Sequence, residues 1–564
     1  MPLLPNQVNE TLKSPKATGD IRAAVSHQNR LRFHTNTALS AQSAGAASSV
    51  FLKSIQAILP NDKYKAICEL YKFPVETNEV AEQIYQELKK VFNGRNPFYQ
   101  YEFTDPDLVN DWQDYKKETF GGQEAWQSEA FEQMKTSINS ILIVDLAEEQ
   151  STSRPEPYFY FKEIGEVHDY RLNGNEFEYL TYIIKKKDEA GNDKEYYIVI
   201  DDESYRIFNI NDKTVNVDNP IVDNKHDLGT CPARFFWTTP LVKSNPALKK
   251  GPLSNQLTNL DKLLKRVLFN DYNDLRASFP IYWAMESDCD YDTDEKGVTG
   301  HACDGGFLRD HESGSFLLNN FGEPRPCPAC SDSRFNGPGS YIEIPVPDEE
   351  NNVGDLRAPV GVVEADVPTL KFQDEKLEKH KRELIQNVVG FNQGMQTKEA
   401  INEKQVEASV ESKETVLNNF KKDFEIIQEW KETIMCKLRY QTQFINLSVN
   451  LGTEFYTYRV SELVDRYKTA KEAGASDIEL DNLQDKIIET EFRNNPIQLQ
   501  RALILQHLEP YRHYSVRELM SFSSDGQTIV NKRELQLKLS FSTFIAQFER
   551  EQTSILEWGA NLDF

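Results

Sequence analysis

MQTKEAINEKQVEASVESKETVLNNFKKDFEIIQEWKETIMCKLRYQTQFINLSVNL, residues 395–451, contains not one glycine or proline. Within it Val406, Val410, Leu417, Phe420, Phe424, Ile427, Ile434 and Leu438 recur at steps of three, four and seven, the spacing of one apolar face of a helix. The pattern predicts a single helix over 399–445. Some 40 residues at about 1.5 Å each span roughly 60 Å. Helices of that length belong to coiled coils, membranes or large assemblies. This one is too polar for a membrane and keeps no strict heptad, so it reads as a long spoke packed inside an assembly.

Upstream lies a turn. Gly390 and Gly394 bracket Phe391, Asn392 and Gln393, and Met395 follows; two glycines four apart let the backbone reverse at little steric cost. The region 348–389 before it is expected to hold a helix running from about Lys371 to Val389. It carries Lys376, Lys379, Lys381 and Arg382, which read either as a solvated charged face or as a local basic ring. Further upstream, Leu253, Leu257, Leu260, Leu264, Leu268, Tyr272 and Leu275 form one stripe over 253–276. Pro252 stands before that helix and Pro280 beyond it.

Between the two helices, residues 277–347 form an insert rich in glycine, proline and aspartate. It holds Cys289, Cys303, Cys327 and Cys330, spaced C-x13-C-x23-C-x2-C. A C-x2-C pair with a second, looser pair supplies the four thiolates that tetrahedral Zn²⁺ takes. Four thiolates fill the coordination sphere, so the expected metal is structural and leaves no open position for a substrate. His301 and His311 lie in the same insert as alternative ligands. Cys68, Cys231 and Cys436 are scattered in apolar surroundings, and a disulfide framework is not expected.

The rest of the chain sorts by period. Residues 1–50 read as a flexible arm, and 51–252 as helices followed by a small antiparallel sheet beginning near Pro157, with a hairpin turn at 188–193. Residues 446–520 read as further helices, with a capping-box start at Ser476-Asp477-Ile478-Glu479, and 521–564 as a C-terminal segment. The fold class expected is α+β, mainly helical. At 564 residues the chain exceeds one ordinary core. Neither a signal-peptide run nor a stretch of roughly 20 apolar residues occurs, so an intracellular chain with no membrane partner is expected.

The order of parts resembles the portal proteins of tailed double-stranded DNA bacteriophages. Pro252-Leu253-Ser254 with Leu260-Asp261-Lys262-Leu263-Leu264, then Ala277-Ser278-Phe279-Pro280-Ile281-Tyr282-Trp283, looks like a portal stem leading into its clip. The run 337–345 (GPGSYIEIP), Asn402-Glu403-Lys404-Gln405-Val406-Glu407-Ala408, and 490–496 with 505–510 are similar to portals of phages infecting Bacteroidetes-type bacteria. The likeness covers roughly residues 150–520. It implies a wing (51–252), a stem (253–276 and 348–389), a clip (277–347), a tunnel loop (390–398), the long helix (399–445) and wing or crown helices (446–520), ending in a crown segment (521–564). It further implies a homo-oligomeric ring of about 12 subunits at one capsid vertex of the virion, made in the bacterial cytoplasm. Its partners would be duplex DNA, the terminase large subunit, the major capsid protein and a tail or adaptor protein. Gly390 to Met395 would touch DNA, and Lys376, Lys379, Lys381 and Arg382 would line the channel.

Charge and motifs weigh against other classes. The net charge of −25 disfavours non-specific adhesion to nucleic acid, and twelve copies would carry about −300. The insert has 12 acidic residues against 4 basic ones, a net −8, the wrong sign for a zinc-ribbon that reads phosphate. The sequence has no G-x4-G-K-[ST] loop, no H-E-x-x-H and no G-x-S-x-G, so an enzyme is not expected.

Overall fold

The computed structural model describes residues 3–559 apart from isolated positions and short stretches, chiefly 148–152, 188–192, 286–288, 294–299, 330–339, 345–359, 364–366, 391–402 and 525–530. Helix and strand are mixed, with helix predominating. The chain forms two compact units, Met1–Thr453 and Glu454–Phe564.

The first unit is organised by a strand meander. Val167–Asn173, Glu176–Lys187, Asp193–Asp201, Ser204–Asn211 and Thr214–Val215 pair in sequence order, and Val222–Lys225 pairs with Ser204–Asn211. Tyr182 stands opposite Ile198 in this antiparallel ladder. Successive side chains alternate between faces, yet Tyr179, Leu180, Tyr182 and Tyr197 to Ile200 are all buried. Both faces are apolar, so both need a cover.

The N-terminus supplies it, which corrects the expectation of a flexible arm over 1–50. Helix Pro5–Lys13 brings Val8, with Leu3 ahead of it, against Tyr179, Tyr197, Val199 and Phe208. Helix Thr18–Thr35 brings Ile21 and Ala24 to the other face, against Leu180, Tyr182, Ile198 and Ile200. Two wholly buried carboxylates fasten these pieces. Asp169 accepts the N–H groups of Lys16 and Ala17 at 3.0 and 2.8 Å, and Asp201 accepts that of Leu3 at 3.2 Å while pairing with Arg206.

The long helix runs Glu403–Tyr440, 38 residues and roughly 57 Å. Leu417, Phe424, Ile427, Ile434 and Leu438 of the expected stripe are buried. The helix stops five residues before the expected 445. Gln441 has φ +52°, and Phe444–Asn450 is a strand paired antiparallel with Phe98–Phe103. Alternation in FINLSVN beats the helical reading once a partner is available. Two strands lie outside the expected sheet: Ile141–Leu146, before its expected start, pairs with the expected strand Pro157–Lys162 and with Ala233–Phe235, beyond its expected end.

Charge sits deep against the long helix. Glu432 is fully buried, accepts from Tyr101 Oη at 2.5 Å and lies 3.3 Å from Lys116 Nζ. Burial pushes its carboxyl up, but Lys116, Lys431 and Tyr101 outweigh that and hold it below the ordinary range. Lys431 lies over the Trp126 ring, 3.5 Å from its centroid, and burial lowers its ammonium to about 7.

Helices Leu257–Ser278 and Val367–Val389 run antiparallel, joined by Asn270 to Asp374 at 2.7 Å and Asn273 to Gln373 at 3.0 Å. The insert between them contains a three-stranded sheet with Ile281–Met285 at its centre, Ser340–Ile344 parallel and Val360–Val363 antiparallel to it. The expected boundary at 347 therefore cuts this sheet, because its last strand lies beyond it.

The second unit is helical. Ser476 caps Asp477–Glu491 by accepting the Glu479 N–H at 3.3 Å, as its capping-box pattern implies. The unit begins at Glu454 rather than 446, because residues 446–450 are committed to the strand with Phe98–Phe103. Residues 521–564 are part of it and not a separate segment.

Candidate metal centre

Three chain segments converge in the insert because a hairpin brings them together. His301–Asp304 pairs with Phe307–Asp310, and Gly306 at the turn has φ +89°, a conformation that suits glycine. On one side the Cys303 N–H donates to the Tyr291 carbonyl at 3.0 Å, which brings Cys289, two residues earlier, alongside. On the other, the Leu308 N–H donates to Arg325 and the Cys327 N–H to the Gly306 carbonyl at 2.8 Å.

The sulfurs of Cys289, Cys303 and Cys327 consequently lie within 4.8 Å of one another, with Cys289 and Cys327 3.9 Å apart. Zn–S bonds of about 2.3 Å in a tetrahedron place neighbouring sulfurs about 3.8 Å apart. The donor set fits a metal ion. Cys327 is buried and the other two are half-buried. Cys330, the fourth expected ligand, lies outside the described residues. The cluster contains no imidazole: His301 instead faces Asp310 across the hairpin, Nδ1 to Oδ1 3.6 Å. Cys231 is buried among apolar side chains with its thiol pushed up by burial, and Cys436 is likewise buried. Neither approaches this group.

Gly390 ends its helix at φ +97°, and a Cβ there would meet Ser412 Oγ at 3.0 Å and its carbonyl oxygen at 3.2 Å. Only glycine suits that approach. Phe391, Asn392, Gln393, Gly394 and Met395 lie outside the described residues. Lys376 and Lys379 are exposed, and Lys381 and Arg382 half-buried. Their charge is largely answered on the same helix: Lys381 pairs with Glu378 at 3.1 Å, Lys379 approaches Glu383 at 3.9 Å, and Arg382 Nε donates to the Glu378 carbonyl at 3.3 Å.

Lys262 and Arg266 of the first helix have no acidic residue three or four positions away. A cleft of about 610 Å³ is bordered by Asp145, Arg154, Asp223 and His226. Its imidazole is held by backbone, with Nε2 3.1 Å from the Asp201 carbonyl and Nδ1 3.3 Å from the Leu228 N–H. Among the described residues no helix is long and apolar enough to cross a membrane. No known protein-family model matches the chain, and no curated protein matches it.

Proposed function

We propose that the chain is the subunit of a phage portal, a ring at one capsid vertex through which duplex DNA is packaged and later ejected. The observation that carries this reading is the layout around the insert. Two antiparallel helices bracket a compact, thiol-bearing insert, the second ends at Gly390, and after a short connection a 38-residue helix begins. That is the portal order of stem, clip, stem, tunnel loop and long helix. The acid excess supports it physically: a channel must not hold its cargo, since each phosphate neutralised by a cation adds affinity that translocation has to break.

In this reading the metal is Zn²⁺, held by Cys289, Cys303, Cys327 and Cys330. It supplies shape and no chemistry, because a fully thiolate-ligated zinc has no open position. The clip so braced docks the tail or adaptor protein and the terminase, and the capsid protein surrounds the wing. In the same reading Gly390 to Met395 of the tunnel loop meet DNA through uncharged groups. Asn392→Lys tests this: it adds a salt-sensitive grip and slows packaging while assembly stays normal. Phage carrying it that fill heads at the unaltered rate would refute the assignment of the loop.

A further inference from the structure

The three sulfurs gathered by the hairpin differ in what holds them and in what reaches them. Cys303 sits inside the His301–Asp304 strand, opposite Leu308. Cys289 and Cys327 belong to the two flanking segments, and backbone ties each segment to the hairpin. Tyr291 accepts the Cys303 N–H at 3.0 Å, and the Cys327 N–H donates to the Gly306 carbonyl at 2.8 Å. The Cys289 and Cys327 sulfurs lie 3.9 Å apart. Cys327 has 0% of its surface exposed, whereas Cys289 is half-buried and so open to a small solute.

A disulfide holds its sulfurs about 2.05 Å apart, so this pair has to close by about 2 Å, within reach of small rotations of the two side chains. The bond would join residues 38 apart in sequence and connect the same two flanking segments that a metal ion on this cluster connects. The sequence points elsewhere. Its run Cys327-Pro328-Ala329-Cys330 has the spacing of a redox-active C-x2-C pair. A bond between those two would tie one segment to itself and leave the Cys289 segment unfastened.

We propose that Cys289 and Cys327 are an oxidation site, a pair that exchanges the metal for a disulfide on meeting a hydroperoxide. The inference deepens the metal-centre reading and rests on it for the ion that leaves. Thiolate is the reactive form of cysteine, and a thiol that coordinates a metal is already deprotonated. The sulfur of Cys289, the half-buried member, attacks one peroxide oxygen. The O–O bond breaks, hydroxide leaves and Cys289 becomes a sulfenic acid. The Cys327 sulfur then attacks the Cys289 sulfur, forming the S–S bond and expelling a second hydroxide. Two electrons pass from the sulfurs to the peroxide, and zinc keeps its charge throughout. With these two thiolates consumed the closed tetrahedral site no longer exists, so the ion leaves, and Cys303 remains a thiol. In the portal reading the chain is made in a reducing cytoplasm and then persists in a particle outside it, where thiols are no longer kept reduced. The disulfide keeps the insert braced there after the metal has gone.

The test treats the purified, unaltered protein with equimolar hydrogen peroxide. Zinc is measured before and after, disulfides are mapped by mass spectrometry of peptides prepared without reductant, and amide exchange is followed after chelation. A new Cys289–Cys327 bond and release of the zinc are expected. Protection at the Cys303, Leu308, Leu317 and Cys327 amides should fall less than about ten-fold, against at least about a hundred-fold when the reduced protein is chelated. Cys289→Ser put through the same treatment should show the full loss. A Cys327–Cys330 bond, a bond to Cys303, thiols that stay reduced, or sulfinic acid without a disulfide overturns the proposal. So does a Cys289–Cys327 bond with amides as exposed as in the chelated reduced protein, or a Cys289→Ser protein as protected as the unaltered one. Failure of the metal reading is separable from failure of this one. No zinc before the peroxide, with the Cys289–Cys327 bond still formed, removes the metal and upholds the pair; bound zinc with any other pairing does the reverse.

Discussion

Replacing Cys327 with serine should loosen the insert and leave the rest of the first unit folded. Between residues 289 and 327 the buried apolar side chains, among the described residues, are Leu308 and Cys327 itself. Burying one leucine contributes about 2–3 kcal/mol, whereas structural zinc in small domains contributes an apparent ~10–16 kcal/mol. A zinc ion held by this cluster would therefore outweigh local packing several-fold, and its loss should open the hairpin. Amide hydrogen exchange reads this directly, because the N–H groups of Cys303, Leu308, Leu317 and Cys327 close the hydrogen bonds that hold the segments together. Their protection should fall at least about a hundred-fold in the variant or after chelation, which is about 2.7 kcal/mol at about 1.4 kcal/mol per decade. Amides of the Glu176–Lys187 and Asp193–Asp201 strands should not change. The reasoning fails if protein purified without chelator holds less than about 0.2 zinc per chain, or if chelation leaves the four amides as protected as before.

Two further perturbations address the core. Glu432→Gln strips the charge that Lys116 and Lys431 share in a buried site, and should cost about 3–5 kcal/mol in denaturant unfolding; a loss under about 1 kcal/mol would show that water reaches these groups. His27 is lowered to about 4 by burial and then by Arg30. A depressed histidine is neutral in the folded state, so the unfolded chain binds the extra proton, and stability falls as pH drops through about 6.5 toward 4. Between pH 7 and 5 this amounts to about 2 kcal/mol, and His27→Asn should remove that part of the pH slope in thermal melts; an identical slope would assign the effect to other groups.

What the sequence made legible were features carried by local spacing. Stripes such as Leu257, Leu260, Leu264 and Leu268 and the gap-free run after Met395 identify helices without any partner. The strand Phe444–Asn450 was hidden because its partner, Phe98–Phe103, lies some 340 residues away, and a short alternating run beside a long helix looks like its tail. The N-terminal helices were hidden because their few apolar residues become meaningful only once both faces of the meander need covering. In the candidate metal centre, Cys327 stood out through its C-x2-C partner. The approach of Cys289 to Cys303 depends on the bond from the Cys303 N–H to the Tyr291 carbonyl, and that of Cys327 on the turn at Gly306; neither could be read from spacing alone. The cations Lys379 and Lys381 drew attention by density, and each has a glutamate of its own helix nearby, at 3.9 and 3.1 Å, as a solvated charged face would.

In the portal reading proposed above, this chain works as a ring around a channel. Electron microscopy of the purified protein, with its native mass measured on the same sample, tests it most directly. Closed rings of about 12 subunits are expected, around an axial hole that admits a duplex, whose major groove alone is about 12 Å wide. A monomer or dimer that persists at high concentration, with no ring in the virion, would contradict it.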